Sequence, residues 1–151
     1  MADTIQLEIV TPERLVINEA VEYIEIPGET GYLGVLPGHA PLITELAPGE
    51  LTYRNGNQTK RLAVAWGFAE VLQTKVTILA ESAEKAEEID TGRAEAAKRK
   101  AEAELQKAGL EGNEEAQKAL QRAQARLDVA GKSGKQYWGK SWVPGRRRRS
   151  G

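Results

Sequence analysis

The 151-residue chain contains no cysteine, one histidine, one methionine and one phenylalanine. Without thiols it has no disulfide framework, Cys-based zinc site, iron–sulfur cluster or thiol nucleophile. One histidine supplies no pair of imidazoles, so a metal centre is not expected. No run of about 18 apolar residues occurs, so no membrane-spanning helix is expected. The first seven residues lack the basic region and apolar core of a secretory signal. Two further absences are local. Residues 83–130 contain neither proline nor an aromatic side chain, and residues 132–151 contain no acid.

The composition is that of a globular protein, with 40% hydrophobic and 28% charged residues. The net charge of −1 conceals an asymmetry. Seven of the 21 basic residues lie in 132–151, among them the run Arg146 to Arg149, which leaves 14 basic and 22 acidic residues, a net of −8, before them. An acidic body therefore precedes a polycationic tail.

Residues 1–84 read as β. Ile5, Leu7 and Ile9 alternate with polar residues, placing them on one face of a strand. Leu15, Ile17, Val21 and Tyr23 continue the pattern, and Ile24 and Ile26 then require a register change. Breakers crowd residues 28–49. Asn55-Gly56 is a hairpin signal, Leu62, Val64 and Trp66 alternate after it, and Val71, Val76 and Ile78 fit a last hairpin. Short strands without helical periods predict an antiparallel β-sandwich or flattened barrel.

Residues 85–130 are rich in good helix formers. Ala94, Ala97, Ala101, Leu105 and Ala108 recur at helical spacing, as do Ala116, Leu120, Ala123 and Leu127. Gly109 and Gly112 fall between the two stripes, and Asn113 is a fitting N-cap. The pattern predicts an antiparallel two-helix hairpin whose seam, mostly alanine, buries little area and docks weakly. Residues 131–151, with six glycines and prolines beside Tyr137, Trp138 and Trp142, are expected to be extended or flexible in isolation.

Motifs for catalysis are weak. Residues 134–141, GKQYWGKS, match the phosphate-loop pattern by letter, but no strand precedes them and Pro144 follows closely, so the match reads as chance. His39, in the rigid PGHAP loop, has no assigned acid partner and reads as a structural or contact residue. On the helices, Asp90 and Arg93 stand at the first helix start, and Arg122 and Arg126 share a face of the second. They fit either solvated faces with i,i+4 support or arginines converging on phosphate oxygens.

Four segments, in order, carry a resemblance: GYLGVLPGHAPLITELAPG at 31–49, WGFAEV at 66–71 with VTILAESA at 76–83, IDTGRA at 89–94, and ALQRAQARL at 119–127. Together they resemble the epsilon subunit of bacterial F-type ATP synthases over about residues 3–130. The resemblance implies a non-catalytic rotor subunit. Its sandwich would dock on the gamma subunit and the c-ring. Its hairpin would permit turnover when folded down and block ATP hydrolysis, against the beta subunit, when extended. It also implies a regulatory ATP site at Glu84, Asp90, Arg93, Arg122 and Arg126, with no cofactor required, and a rotor-contact loop containing Glu29, Thr30, Tyr32 and His39. The expected location is peripheral, on the cytoplasmic face of the inner membrane, reached only through the complex. A nucleic-acid partner is not expected, because the body is acidic. The tail has no counterpart in the family and reads either as an appended segment or as an electrostatic aid to the inhibitory contact. The competing reading is a free-standing ATP-sensing adaptor of the same shape.

Overall fold

The computed structural model describes residues 3–108 and 113–133. The phosphate-loop match, the three tail aromatics and the arginine run lie outside the described residues, as does the Gly109–Gly112 turn.

β1 (Ile5–Val10) and β2 (Leu15–Val21) pair around a tight turn in which Thr11 and Arg14 exchange backbone hydrogen bonds of 2.9 and 3.3 Å. Glu22 breaks the chain before β3 (Tyr23–Gly28), so the inward parity passes from Ile17 and Val21 to Ile24 and Ile26. This is the register change that the sequence required. β4 (Gly31–Val35) returns along β3, and β5 (Leu42–Glu45) pairs with residues 68–71 farther along the chain. β6 (Gly49–Asn55) and β7 (Gln58–Val71) form the hairpin marked by Asn55-Gly56, with Gly56 at φ 65°. β8 (Lys75–Lys85) follows.

The sheet order is β2-β1-β8-β7-β6-β3-β4, with β5 on β7, and the sheet does not close. Its strands form a β-sandwich around a core that includes Leu7, Ile9, Ile24, Ile26, Leu51 and Tyr53, each no more than 1% exposed. One pairing departs from the antiparallel expectation. β1 runs parallel to β8, from Gln6 opposite Lys75 to Val10 opposite Leu79. A pairing between opposite ends of the domain has no local turn to announce it.

β7 also departs from simple alternation. Leu62 and Val64 point into the core, but farther along it is Ala69 and Val71 that do so. The register against β8 stays constant, so the strand itself inverts its faces. The inversion falls where Trp66 has φ 52° and Gly67 φ 118°. Trp66, expected beside Leu62 and Val64, is therefore only half-buried and absent from the core cluster.

A 3-10 turn (Ala86–Glu88) leads into α1 (Thr91–Ala108), which is followed by α2 (Glu114–Ser133). Asp90 caps α1, its Oδ1 accepting from Arg93 N at 3.1 Å. Asn113 caps α2 in the same way through Ala116 N at 2.9 Å. The two helices pack on each other, and α2 packs on β6, β7 and the 3-10 turn. Ala94, Ala101, Leu105, Ala116 and Ala123 are buried as the periodicity predicts. A second stripe of α2, Ala125 and Val129, joins Ala63, Ala86 and Ile89 in a small cluster against the sandwich. With Ala63 buried on that outer side, Leu62 to Ala65 are all buried in succession. α2 runs through Gly131, where the sequence reading has a break. In a helix interior that glycine costs about 1 kcal/mol, which neighbouring turns override.

Candidate functional site

Where β8 ends, its last residues face the first turns of α1 and the middle of α2. Glu84, Asp90, Arg93, Ala94, Ala97 and Arg126 line a cavity of about 300 Å³ there. Each arrives for a local reason. Glu84 is carried in by the register of β8 with β7, opposite Ala63. Asp90 must sit at the start of α1 to cap it, and Arg93 follows one turn later. Alanines at 94 and 97 leave room that larger side chains would fill. Arg126 Nε donates to Glu84 Oε1 across the cavity, both side chains being about one-third exposed.

The site thus presents two guanidinium groups and two carboxylates around an open volume at the lower end of the small-molecule range. The arginines suit phosphate oxygens, and the carboxylates suit hydroxyl or amino donors. Among the described residues, no group of three or more His, Cys, Asp or Glu side chains could hold a metal ion.

Four of the five residues expected at a nucleotide site meet here. Arg122 does not line the cavity. Its Nη2 lies 3.7 Å from Glu115, and its guanidinium carbon lies 5.5 Å from the centre of the Trp66 ring. The four expected rotor-contact residues divide into two places. Glu29 and Thr30 are exposed at the β3–β4 hairpin tip. Tyr32, 58% exposed, starts back along β4, and its hydroxyl accepts from Glu50 N at 3.3 Å. His39 lies past the other end of β4, where Gly38 N donates to Gln73 O of the β7–β8 turn. Its Nδ1 is 2.7 Å from Ala40 O.

The sequence reading missed an outer apolar row. Phe68 and Leu79 stand opposite each other, Leu79 pairs with Val10, and Val10 pairs with Leu15. Phe68, Leu79 and Leu15 are each more than half exposed. The available signal was the apolar run Val76 to Ala80, interrupted only by Thr77, which leaves Leu79 on the face opposite Ile78.

Two family models match in succession. One, described as ATP synthase, Delta/Epsilon chain, beta-sandwich domain, covers residues 4–86. The other, the long alpha-helix domain of the same chain, covers 87–131. The chain belongs to the epsilon subunits of bacterial F-type ATP synthases. An ATP synthase epsilon chain from Koribacter versatilis is 61% identical over 111 residues, covering 74% of this chain and 78% of its own. One from Geobacter metallireducens is 47% identical over 137 residues, covering 88% and 98%. Among solved structures, a chain of the Euglena gracilis mitochondrial ATP synthase, in a complex titled OSCP/F1/c-ring, superimposes with a TM-score of 0.74 at 28% identity. It covers 86% of this chain and 82% of that one. Epsilon subunits are non-catalytic parts of the rotary central stalk.

The base of the hairpin is tied to the sandwich by a second ion pair. Arg14 Nη2 and Nη1 donate to the two oxygens of Glu88 at 2.8 and 3.3 Å, and Lys85 N also donates to Glu88 Oε1, at 3.2 Å. Chiefly the hydrogen bond from Arg14 holds the Glu88 carboxyl below its ordinary value of 4.5. A carboxyl depressed in the folded state stabilises fully above its unfolded value, and that contribution is lost as pH falls through the folded value. Glu88→Gln should therefore lower the urea midpoint slightly at pH 6, and the difference from wild type should shrink as pH falls below the ordinary carboxylate value and close once it passes the depressed one.

Proposed function

We propose that the sandwich couples the gamma subunit to the c-ring of a proton-translocating ATP synthase, and that the hairpin is a detachable brake on ATP hydrolysis. The observation that carries this reading is the way α2 is docked. Its apolar contact with the sandwich is a cluster of three alanines and a valine with one isoleucine at its edge. At about 0.8 kcal/mol per buried CH₂, such a seam can be given up at a cost of a few kcal/mol. Meanwhile the Phe68–Leu79–Leu15 row stays open with the hairpin down. An apolar strip of this kind is a place for a permanent partner, and gamma is its natural occupant.

In this reading ATP is a regulatory ligand. Its phosphates would take Arg93 and Arg126, and it would bind only while α1, α2 and β8 are together, favouring the docked hairpin. Undocked, the helices would reach the beta subunit. The chain would sit on the cytoplasmic face of the bacterial inner membrane through these partners alone. No helix among the described residues is long and apolar enough to cross a membrane.

The test is ATP hydrolysis by a purified alpha–beta–gamma head titrated with the chain. Stable binding, with inhibition that recedes as ATP rises, is the expected result. Binding without inhibition would remove the brake and leave the coupling role. No binding would overturn the proposal.

A further inference from the structure

Trp66 stands at the face inversion of β7 in a conformation rare for a bulky side chain. Its φ of 52° lies in the left-handed region, where a bulky side chain is an outlier. Such conformations persist only when their surroundings hold them, and they mark sites with work to do. Here the face inversion of β7 leaves the indole outside the core, against α2. Lys118 Nζ lies 4.7 Å from the ring centre and the Arg122 guanidinium carbon 5.5 Å, both within cation–π range. Lys118 and Arg122 are one helical turn apart, so a single ring meets both.

The location of these contacts gives them their meaning. The apolar cluster beneath α2 takes from that helix only Ala125 and Val129, in its C-terminal half. Lys118 and Arg122 belong to the N-terminal half, so the two halves meet the sandwich by different chemistry. The stack also explains why Arg122 does not line the cavity that Arg126 does.

We infer that Trp66 is a clasp: its ring, stacked on Lys118 and Arg122, holds the N-terminal half of α2 on the sandwich and sets the docked–undocked balance of the hairpin without any nucleotide. Trp66 is a positioning residue in this role. The inference rests on the proposed detachable hairpin and stands whether or not the cavity takes ATP.

The test is amide hydrogen exchange of the full-length chain without nucleotide, read in residues 114–124 of α2 and, as a folding control, in β1 and β8. Trp66→Gly removes the ring and accepts the positive φ. Lys118→Gln with Arg122→Gln removes the cations while keeping good helix formers. Each should speed exchange in 114–124 by about tenfold, the loss expected of two modest cation–π contacts. Trp66→Phe, which keeps an aromatic face, should stay close to wild type. Combining Trp66→Gly with the two glutamines should add nothing, because all three changes remove the same contact. Unchanged exchange in 114–124 with an intact sandwich would overturn the clasp, and so would additive effects in the combined variant. If Trp66→Gly also exposes β1 and β8, the glutamine pair decides alone, and wild-type exchange there overturns the inference.

Discussion

Gly67→Ala is expected to destabilise the sandwich by about 3 kcal/mol or more, enough to unfold a marginal domain. A Cβ at this position would lie 1.9 Å from the Leu79 carbonyl oxygen and 3.0 Å from its carbon. Both are backbone atoms of the paired strand, so no side chain can swing aside. The φ of 118° adds strain for any residue with a Cβ. The site is also the point where β7 inverts its faces, so relaxing the backbone would move Ala69 and Val71 away from the core or Leu62 and Val64 out of it. Urea denaturation should show a large drop in midpoint or a preparation with no cooperative transition. Gly131→Ala supplies the contrast. That glycine is helical, exposed and surrounded by open space, so alanine should raise stability by up to about 1 kcal/mol. A mild effect at Gly67 would mean that the inversion is not where the structure places it.

Arg126→Ala should have the largest effect on nucleotide binding. The guanidinium both faces the cavity and neutralises Glu84, so its loss removes a phosphate ligand and leaves a half-buried carboxylate beside the incoming anion. A hydrogen bond to a charged group is worth about 1.5–3 kcal/mol, or roughly ten- to a hundredfold in affinity. Arg122→Ala should cost less than about threefold, because Arg122 is engaged by Trp66 and Glu115. Titration calorimetry with ATP separates the two. Equal losses would mean that Arg122 leaves the ring when nucleotide binds. An absence of heat with the wild-type chain would remove ATP from the account.

These expectations show what local pattern can and cannot carry. The alternation of Ile5, Leu7 and Ile9, the Asn55-Gly56 turn and the alanine spacing of the helices are local features, and the structure has them as read. Asn113 and Asp90 act as caps for reasons their chemistry makes plain, and Asp90 also lines the cavity. The parallel β1–β8 pairing was hidden because it joins residues about 70 positions apart, without a turn between them. The inversion in β7 was hidden because tryptophan is the last residue expected in a left-handed conformation, and only Gly67 beside it gave a hint. The position of Arg122 outside the cavity was hidden in a similar way. Spacing on α2 puts it beside Arg126, but its partner lies on a distant strand whose outward-facing side chain no helical periodicity reveals.

The central claim is that the hairpin must leave the sandwich to act. The wild-type chain has no cysteine, so a pair introduced at Ala63 and Ala125, which share the apolar cluster under α2, would be its only thiols, and loss of both on oxidation would report a hairpin locked down by a disulfide. ATP hydrolysis by the alpha–beta–gamma head should be uninhibited by the oxidised chain, though it binds, and inhibited once the same sample is reduced. Equal inhibition by the locked and the reduced chain would contradict the account.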